Sequence, residues 1–312
     1  MQHMCVHMEI KEDKDSRWFN VKYVPQDYIF SHEDRPQNLD VPVCDSFPVI
    51  DLGIPFQPIE AILKASQEFG FFQVINHGVP KKTMIDAMNV LNEFFNMPYK
   101  EAIGYVPHAK GWIYTNTDHT KDGVYLWREN LKHLCHPLDK CIQLWPDKPT
   151  RYQEVIATYI LEIQKLSLRI LEMIGEGLGL EAGYFNNISE VQLLSSNFYP
   201  PCPDPSLTLG ILSHQDPSFI TLVYQGNQME IISNGKLRSI DHRVVTSMHK
   251  TRSSIATFVN PSLDCVVEPA KVLVNEAKPS NYKAIQYKEY VRRNNAFGDY
   301  TSALQNVTIL ES

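Results

Sequence analysis

The feature that most constrains the fold of this chain is a change of hydrophobic pattern near residue 190. Before it, apolar residues recur at helical spacing over residues 84–95 and again over residues 159–174. After it, they fall into short alternating or apolar runs that Pro, Gly and Asn separate, which is typical of strands. Helices first and short antiparallel strands second favour one α+β unit whose second half is a β-sandwich or barrel.

The chain divides into three predicted parts. Residues 1–45 are polar and irregular, so we expect them to wrap a surface rather than form a core. Residues 46–185 form the helical part and residues 186–312 the strand-rich part. In the helical part we expect a strand at 47–52, a helix from Ile59 ended by Gly70, and a strand at 71–75. Thr150 and Gln153 predict a capping box that opens the longest helix, which runs to the glycines at 175 and 177.

Composition and charge exclude several classes of protein. Hydrophobic residues make up 43% and charged residues 21% of the 312 residues, as in compact globular chains. A net charge of −7 without a basic block argues against a nucleic-acid partner. No window holds the roughly 18 apolar residues of a membrane span, and the first residues lack the apolar stretch of a signal peptide. The six cysteines form no paired framework, so we expect free thiols in the cytoplasm, and a monomer is the default.

A candidate metal site lies in the strand-rich part. His214 and Asp216 are two positions apart at the end of one strand run, and His242 lies in another. Alternate side chains of a strand share a face, so the first two can reach one point. Two imidazoles and one carboxylate hold non-haem Fe(II) and leave coordination positions open. Taken alone, His-x-Asp is a weak motif, because a strand histidine is more often a hydrogen-bonded structural residue.

Two more strand pairs suggest a binding pocket. Arg252 and Ser254 share a strand face, and a guanidinium with a hydroxyl is suited to recognise a carboxylate. Asn197 and Tyr199 likewise share a face, directly before a proline-rich turn. The structural alternative for the second pair is a strand edge with a satisfied amide and a half-buried phenol.

A zinc site is the rival interpretation of the metal-binding residues. His133, Cys135, His136 and Cys141 are close in sequence, but their spacing fits no common zinc module. We therefore interpret this segment as an ordinary hydrogen-bonded loop.

Several segments, in order along the chain, resemble the plant-type 2-oxoglutarate and Fe(II)-dependent dioxygenases, the family that includes isopenicillin N synthase. The matching segments are FPVIDLG, EFGFFQVINHGVP, NFYPPCPDP, SHQD, ISNGKLRSIDHRVV and RSSIATFVNP. The resemblance covers nearly the whole chain and implies a distorted double-stranded β-helix, or jelly roll, with supporting helices. The segment LWRENLKHLCHPLDK is most similar to the branch of hyoscyamine 6-hydroxylase and deoxymugineic acid dioxygenase.

The resemblance implies two groups of site residues. The first group would hold Fe(II) and consists of His214, Asp216 and His242. The second group would bind 2-oxoglutarate through its distal carboxylate and consists of Arg252 and Ser254, with Tyr199 and Asn197 helping to position it. The implied cosubstrates are 2-oxoglutarate and O2, and the family admits ascorbate as a further cofactor. The implied reaction hydroxylates, desaturates or epoxidises a small specialised metabolite and releases succinate and CO2.

The chain departs from the family between Asp216 and His242. These residues are 26 positions apart (242 minus 216), about half the interval that is usual in relatives. We therefore expect a jelly roll that lacks some core strands, although an extended connector at roughly 3.3 Å per residue still reaches the metal. The loss of strands exposes sheet edges, and we expect the resulting loss of stability to exceed the free energy of unfolding of a domain, roughly 5–15 kcal/mol. The alternatives to an active oxygenase are an oxidase that does not use 2-oxoglutarate and an inactive relative that binds a ligand or partner.

Overall fold

The computed structural model describes residues 21–36, 47–54, 58–98, 112–115, 120, 122–223, 237 and 241–294. Its α-helices are α1 (Ile59–Glu68), α2 (Lys81–Asn96), α3 (Leu138–Cys141), α4 (Tyr152–Leu178) and α5 (Tyr287–Asn294). Its strands are β1 (Val49–Asp51), β2 (Gln73–Ile75), β3 (Trp112–Thr115), β4 (Glu129–Leu134), β5 (Val191–Tyr199), β6 (Leu209–His214), β7 (Ile220–Val223), β8 (His242–Val245), β9 (Arg252–Asn260), β10 (Val266–Val267) and β11 (Ile285–Gln286). The strand predicted in MEIIS and much of the predicted N-terminal segment lie outside the described residues.

The predicted strand–helix–strand at the start of the ordered body is confirmed. β1 and β2 pair in parallel, and α1 connects them. Gly70 follows the helix with a φ of 76°, a left-handed conformation that favours glycine and ends a helix.

Helix α4 forms the helical side of the core. The predicted apolar stripe of this helix is buried throughout, as shown by Tyr159, Ile163, Leu166, Ile170 and Ile174. The predicted capping box was wrong, because Arg151 is the N-cap and makes no side-chain cap bond. The Gln153 amide instead donates to the Trp145 carbonyl at 3.3 Å.

A five-stranded sheet, in the order β3-β4-β5-β9-β7, separates the helices from the site. Phe198 of β5 stacks on Phe95 of α2 with ring centroids 5.4 Å apart, and the Ser253 hydroxyl of β9 donates to Asn92 of α2 at 2.7 Å. Because strand side chains alternate between faces, the neighbours of Phe198 and Ser253 point to the opposite side of the sheet. That opposite side carries the predicted pocket residues.

The opposite side of the five-stranded sheet faces a second sheet, made by β6 and β8 in antiparallel pairing. Within the described ranges the two sheets hold seven strands, of which β5 to β9 come from the strand-rich half. Most of the connector between β7 and β8, where the missing core strands were predicted, lies outside the described residues. In these ranges β7 pairs with β9 on one side only, and a cavity of about 520 Å³ lies between β7 and α4.

The described part of the N-terminal segment packs on the body of the protein. Val24 and Phe30 are buried, and the Phe30 amide donates to the Leu207 carbonyl at 3.0 Å. Among the described helices, none is both long and apolar enough to cross a membrane.

His133 of β4 is a buried, uncharged histidine that connects the sheet to α4. Its Nε2 lies 2.8 Å from the Tyr152 hydroxyl and its Nδ1 lies 3.3 Å from the Leu134 carbonyl oxygen. Burial lowers the pKa of His133 from 6.5 to about 4, and the Leu134 hydrogen bond offsets only part of this effect. Burial also raises the pKa of Tyr152, so its hydroxyl keeps its proton and donates it to Nε2.

We expect His133 to make the fold sensitive to acid. As the pH falls from about 6.5 to about 4, the unfolded chain protonates this residue and the folded chain does not, so stability falls. The loss from this residue alone totals about 3 kcal/mol. The free energy of unfolding, measured with urea at a series of pH values, should decrease with falling pH along a shallower slope in His133→Gln than in the parent. His249→Gln, at an exposed site, is the control, and equal slopes in parent and His133→Gln would contradict the expectation.

Candidate metal centre and cosubstrate pocket

The pairing of β6 with β8 brings the three predicted metal ligands together. His214 is the last residue of β6, His242 is the first of β8, and the two are direct partners in the antiparallel register. Asp216 lies just beyond the end of β6. The short interval between Asp216 and His242 therefore does not keep the second histidine away from the site.

The three side chains form a compact group. The Asp216 Oδ1 atom lies 3.5 Å from His214 Nε2 and 3.8 Å from His242 Nε2. One ligand atom from each residue falls within 4.8 Å of the others, and within the described ranges this is the single such group of His, Cys, Asp or Glu. The His214 Nδ1 lies 2.8 Å from the Leu212 carbonyl oxygen, which directs Nε2 towards the carboxylate.

The electrostatics of the group keep the carboxylate ionised. Burial of Asp216 on its own would raise the pKa of this residue. The hydrogen bond from His214 and the charges of both histidines outweigh burial, so the pKa of Asp216 lies below its ordinary value. A bound Fe(II) would take the place of the histidine protons as the positive charge beside this carboxylate. One carboxylate and two imidazole nitrogens are the donor set that non-haem Fe(II) takes, so these residues fit that ion.

The four predicted cosubstrate residues also lie together. In the antiparallel register of β5 and β9, Asn197 is opposite Ser254 and Tyr199 is opposite Arg252. The Arg252 guanidinium lies over the Tyr199 ring, 5.3 Å from its centroid. Asn197, Tyr199 and Ser254 are buried, whereas Arg252 is exposed.

Tyr199 lies between the other predicted cosubstrate residues and the sheet that carries the predicted metal ligands. Gly210 of β6 lies against the Tyr199 ring so closely that an added Cβ would be 2.7 Å from its Cδ1 atom. The same Cβ would lie 3.1 Å from Val244 of β8. A side chain at position 210 therefore cannot fit while Tyr199 stays in place.

We expect Gly210→Ala to displace Tyr199 and weaken 2-oxoglutarate binding. Overpacking of this kind costs about 1–3 kcal/mol in stability. Affinity is measured by titration with 2-oxoglutarate and stability by thermal unfolding. Gly175→Ala is the control, because its Cβ would meet Phe185 at an ordinary 3.5 Å. Unchanged 2-oxoglutarate affinity in Gly210→Ala would show that contact with Gly210 does not fix the position of the Tyr199 ring.

The sequence analysis missed two groups of residues around the site. Thr221 of β7 is buried and helps to lower the pKa of Asp216. Arg128 and Asn130 lie beside Asn197, to which they donate at 3.0 and 2.9 Å. The sequence gives no alternating pattern here, since Arg128, Glu129 and Asn130 are consecutive polar residues and all three are buried.

The residues of the rejected zinc site have other partners. His133 contacts Tyr152, and the His136 Nδ1 lies 3.0 Å from the Gln164 amide nitrogen. Burial raises the pKa of the Cys135 thiol well above its ordinary value, which opposes formation of the thiolate that zinc requires.

Comparison with known families agrees with the fold and the site. The 2OG-Fe(II) oxygenase superfamily model matches residues 190–229 and 223–261. The model for the N-terminal region of non-haem dioxygenases in morphine synthesis matches residues 47–148. A jelly roll with two histidines and a carboxylate at one point defines a mononuclear non-haem metal enzyme.

Individual relatives identify the family. Hyoscyamine 6-dioxygenase of Hyoscyamus niger is 37% identical, over 88% of this chain and 92% of that protein. The 2'-deoxymugineic-acid 2'-dioxygenase of Hordeum vulgare is 30% identical, over 86% and 89%. The crystal structure of JOX2 in complex with 2OG, Fe and JA is 28% identical, with a TM-score of 0.81 over 93% of this chain and 95% of that one. The chain therefore belongs to the Fe(II)- and 2-oxoglutarate-dependent dioxygenases, and the predicted family, branch and cofactors are confirmed.

Some positions of a relative have no counterpart in this chain, and the superfamily model matches in two segments that overlap between the predicted metal ligands. The alignment with hyoscyamine 6-dioxygenase extends over 319 positions and includes 88% of the 312 residues, which is about 275 residues. About 44 of its positions, 319 minus 275, therefore face gaps in this chain. The two segments matched by the superfamily model meet at residues 223–229, between Asp216 and His242.

Proposed function

We propose that this dioxygenase hydroxylates a small specialised metabolite and converts 2-oxoglutarate and O2 into succinate and CO2. Desaturation and epoxidation are the alternative outcomes of the same oxidation. The observation that carries the proposal is the convergence of His214, Asp216 and His242 within 4.8 Å of one another. The names of the relatives support the substrate class, since they include a hyoscyamine and a deoxymugineic acid dioxygenase.

In the proposed metal centre, His214, Asp216 and His242 hold Fe(II) on one face. The bound ion supplies oxygen activation, and three protein ligands leave positions open for cosubstrate and O2. The Leu212 carbonyl keeps the proton of His214 on Nδ1, so the Nε2 lone pair is available as a ligand.

In the proposed cosubstrate pocket, Arg252 and Ser254 bind the distal carboxylate of 2-oxoglutarate. Tyr199 and Asn197 lie beside them and help to position it. Burial raises the pKa of Tyr199, and the nearby guanidinium groups offset only part of this effect, so the phenol stays protonated and can donate a hydrogen bond. A guanidinium with neighbouring hydroxyl donors is well suited to a carboxylate.

An anaerobic titration with Fe(II) and 2-oxoglutarate tests the proposal. We expect the purified protein to develop the visible charge-transfer band of an iron–2-oxo acid chelate, and His214→Ala to show none. Aerobic succinate release in the presence of candidate metabolites then identifies the substrate. A folded parent protein that develops no band, with folding verified by circular dichroism, would refute the proposed site.

A further part of the proposal concerns the compartment, the oligomeric state and the functional parts of the enzyme. We propose a cytoplasmic monomer with no nucleic-acid partner, which the net charge of −7 and the free thiols at Cys135, Cys141, Cys202 and Cys265 support. We also propose functional parts at residues 1–45, 46–185 and 186–312. Sedimentation velocity tests the oligomeric state.

A further inference from the structure

Five polar residues lie in two rows across strands β4, β5 and β9, and Arg128, directly before β4, lies beside them. In the first row, the registers place Asn130 opposite Asn197 and Asn197 opposite Ser254. One pair further along, Tyr199 is opposite Arg252, and Arg128 directly precedes the first residue of β4. Asn130 and Arg128 thus lie next to the proposed cosubstrate residues of β5, on the side of β5 that is opposite to β9.

Arg128 contacts both β5 residues of these rows. Its Nη1 donates to the Asn197 Oδ1 atom at 3.0 Å, and its side chain hydrogen bonds to the Tyr199 hydroxyl. Only 8% of Arg128 is exposed. The position is fixed by its neighbour Trp127, which is fully buried and donates through Nε1 to the Pro200 carbonyl at 3.2 Å.

A guanidinium can only donate hydrogen bonds, so Arg128 sets the direction of its partners. The Asn197 Oδ1 atom accepts from both Arg128 and Asn130, which turns the Asn197 NH2 group away from β4. The Tyr199 oxygen accepts from Arg128, so its proton points away from β4 as well; this hydroxyl also hydrogen bonds to Ser254. Both residues therefore present donors to the pocket, which is what a carboxylate ligand requires.

We propose that Arg128 is a positioning residue for the distal carboxylate of 2-oxoglutarate, acting through Asn197 and Tyr199. This inference rests on the proposed cosubstrate pocket. Arg128 adds a second positive charge to that pocket. It also orients Asn197 and Tyr199 so that they present hydrogen-bond donors, and not acceptors, to the carboxylate.

The test compares two ligands that differ only at the distal group. Both 2-oxoglutarate and 2-oxopentanoate can chelate Fe(II), but 2-oxopentanoate has a methyl group in place of the distal carboxylate. In Arg128→Gln we expect the Kd for 2-oxoglutarate to rise about tenfold, as for the loss of a charge-assisted hydrogen bond. The Kd for 2-oxopentanoate should stay unchanged. Both constants come from the anaerobic charge-transfer titration.

Two further variants keep the test decisive. Arg128→Lys keeps the charge but loses the fork of donors, so we expect a smaller selective loss, about threefold, even if Arg128→Gln does not fold. Arg169→Gln is the matched control, because Arg169 is a partly buried arginine that donates to the Leu52 carbonyl at 2.7 Å, away from the pocket. We expect it to leave both constants unchanged.

The possible failures are distinguishable. Equal weakening of both ligands in the Arg128 variants would mean a structural role, and no weakening of either would mean no role; both outcomes overturn the inference alone. A parent protein that does not prefer 2-oxoglutarate over 2-oxopentanoate would overturn the proposed pocket together with the inference. Loss of the preference in Arg252→Gln, but not in Arg128→Gln or Arg128→Lys, would leave the pocket standing and remove Arg128 from it.

Discussion

Asp216→Ala should abolish Fe(II) binding and lower succinate formation by more than about 100-fold. Loss of an outer partner of a metal ligand already costs about 10–100-fold, and Asp216 is proposed as a direct ligand. The variant leaves two imidazoles without the one negative charge in the group, since His214 and His242 both lie within 4 Å of the Asp216 carboxylate. Iron content after anaerobic loading and succinate release are the two measurements.

The matched control for this substitution is Asp264→Ala. Asp264 is an exposed aspartate whose nearest basic partner is Lys288 on the surface, at 3.6 Å. It should keep full iron content. Asp216→Ala protein that binds one equivalent of Fe(II) with the parent's affinity would remove Asp216 from the set of ligands.

Arg252→Gln should raise the Kd for 2-oxoglutarate by about 10–100-fold and leave Fe(II) binding unchanged. Hydrogen bonds to charged groups contribute about 1.5–3 kcal/mol, which corresponds to that range. The Arg252 guanidinium lies over the buried Tyr199 ring, so its position is constrained even though it is exposed. The anaerobic charge-transfer titration measures the affinity.

Arg292→Gln is the control for loss of a positive charge. Arg292 pairs with Glu289 on the surface of α5, and its side chain is 77% exposed. We expect no change in 2-oxoglutarate affinity there. If Arg252→Gln bound 2-oxoglutarate as tightly as the parent, the carboxylate pocket would have to lie elsewhere.

The parts of the fold that the sequence predicted are those with a strong local signal. The stripe of α4 repeats over several turns, and Gly70 is one of the few positions with positive φ. The convergence of His214, Asp216 and His242 followed from strand alternation and from the family motifs. These features depend on residues that are close in sequence or on a motif of known spacing.

The parts that the sequence did not predict depend on pairing between distant strands. β4 lies in a segment without helical periodicity, and only its register with β5 brings Asn130, and Arg128 directly before the strand, next to Asn197. The helix start at Arg151 was also missed, because Gln153 is used by a tertiary hydrogen bond to Trp145 instead of a cap. Local propensity cannot reveal which distant group will compete for a side chain.

The sheet of β6 and β8, which is two-stranded within the described part of the chain, has a thermodynamic consequence. A two-stranded pair is at best marginally stable on its own, and here its paired ends are His214 and His242. An ion bound by these residues would link the two strands at that end of the sheet. Its binding would stabilise the folded state by an amount that grows with the logarithm of its concentration. In a chain with a shortened connector, iron would thus contribute to keeping the enzyme folded as well as to its chemistry, and chelation would remove both.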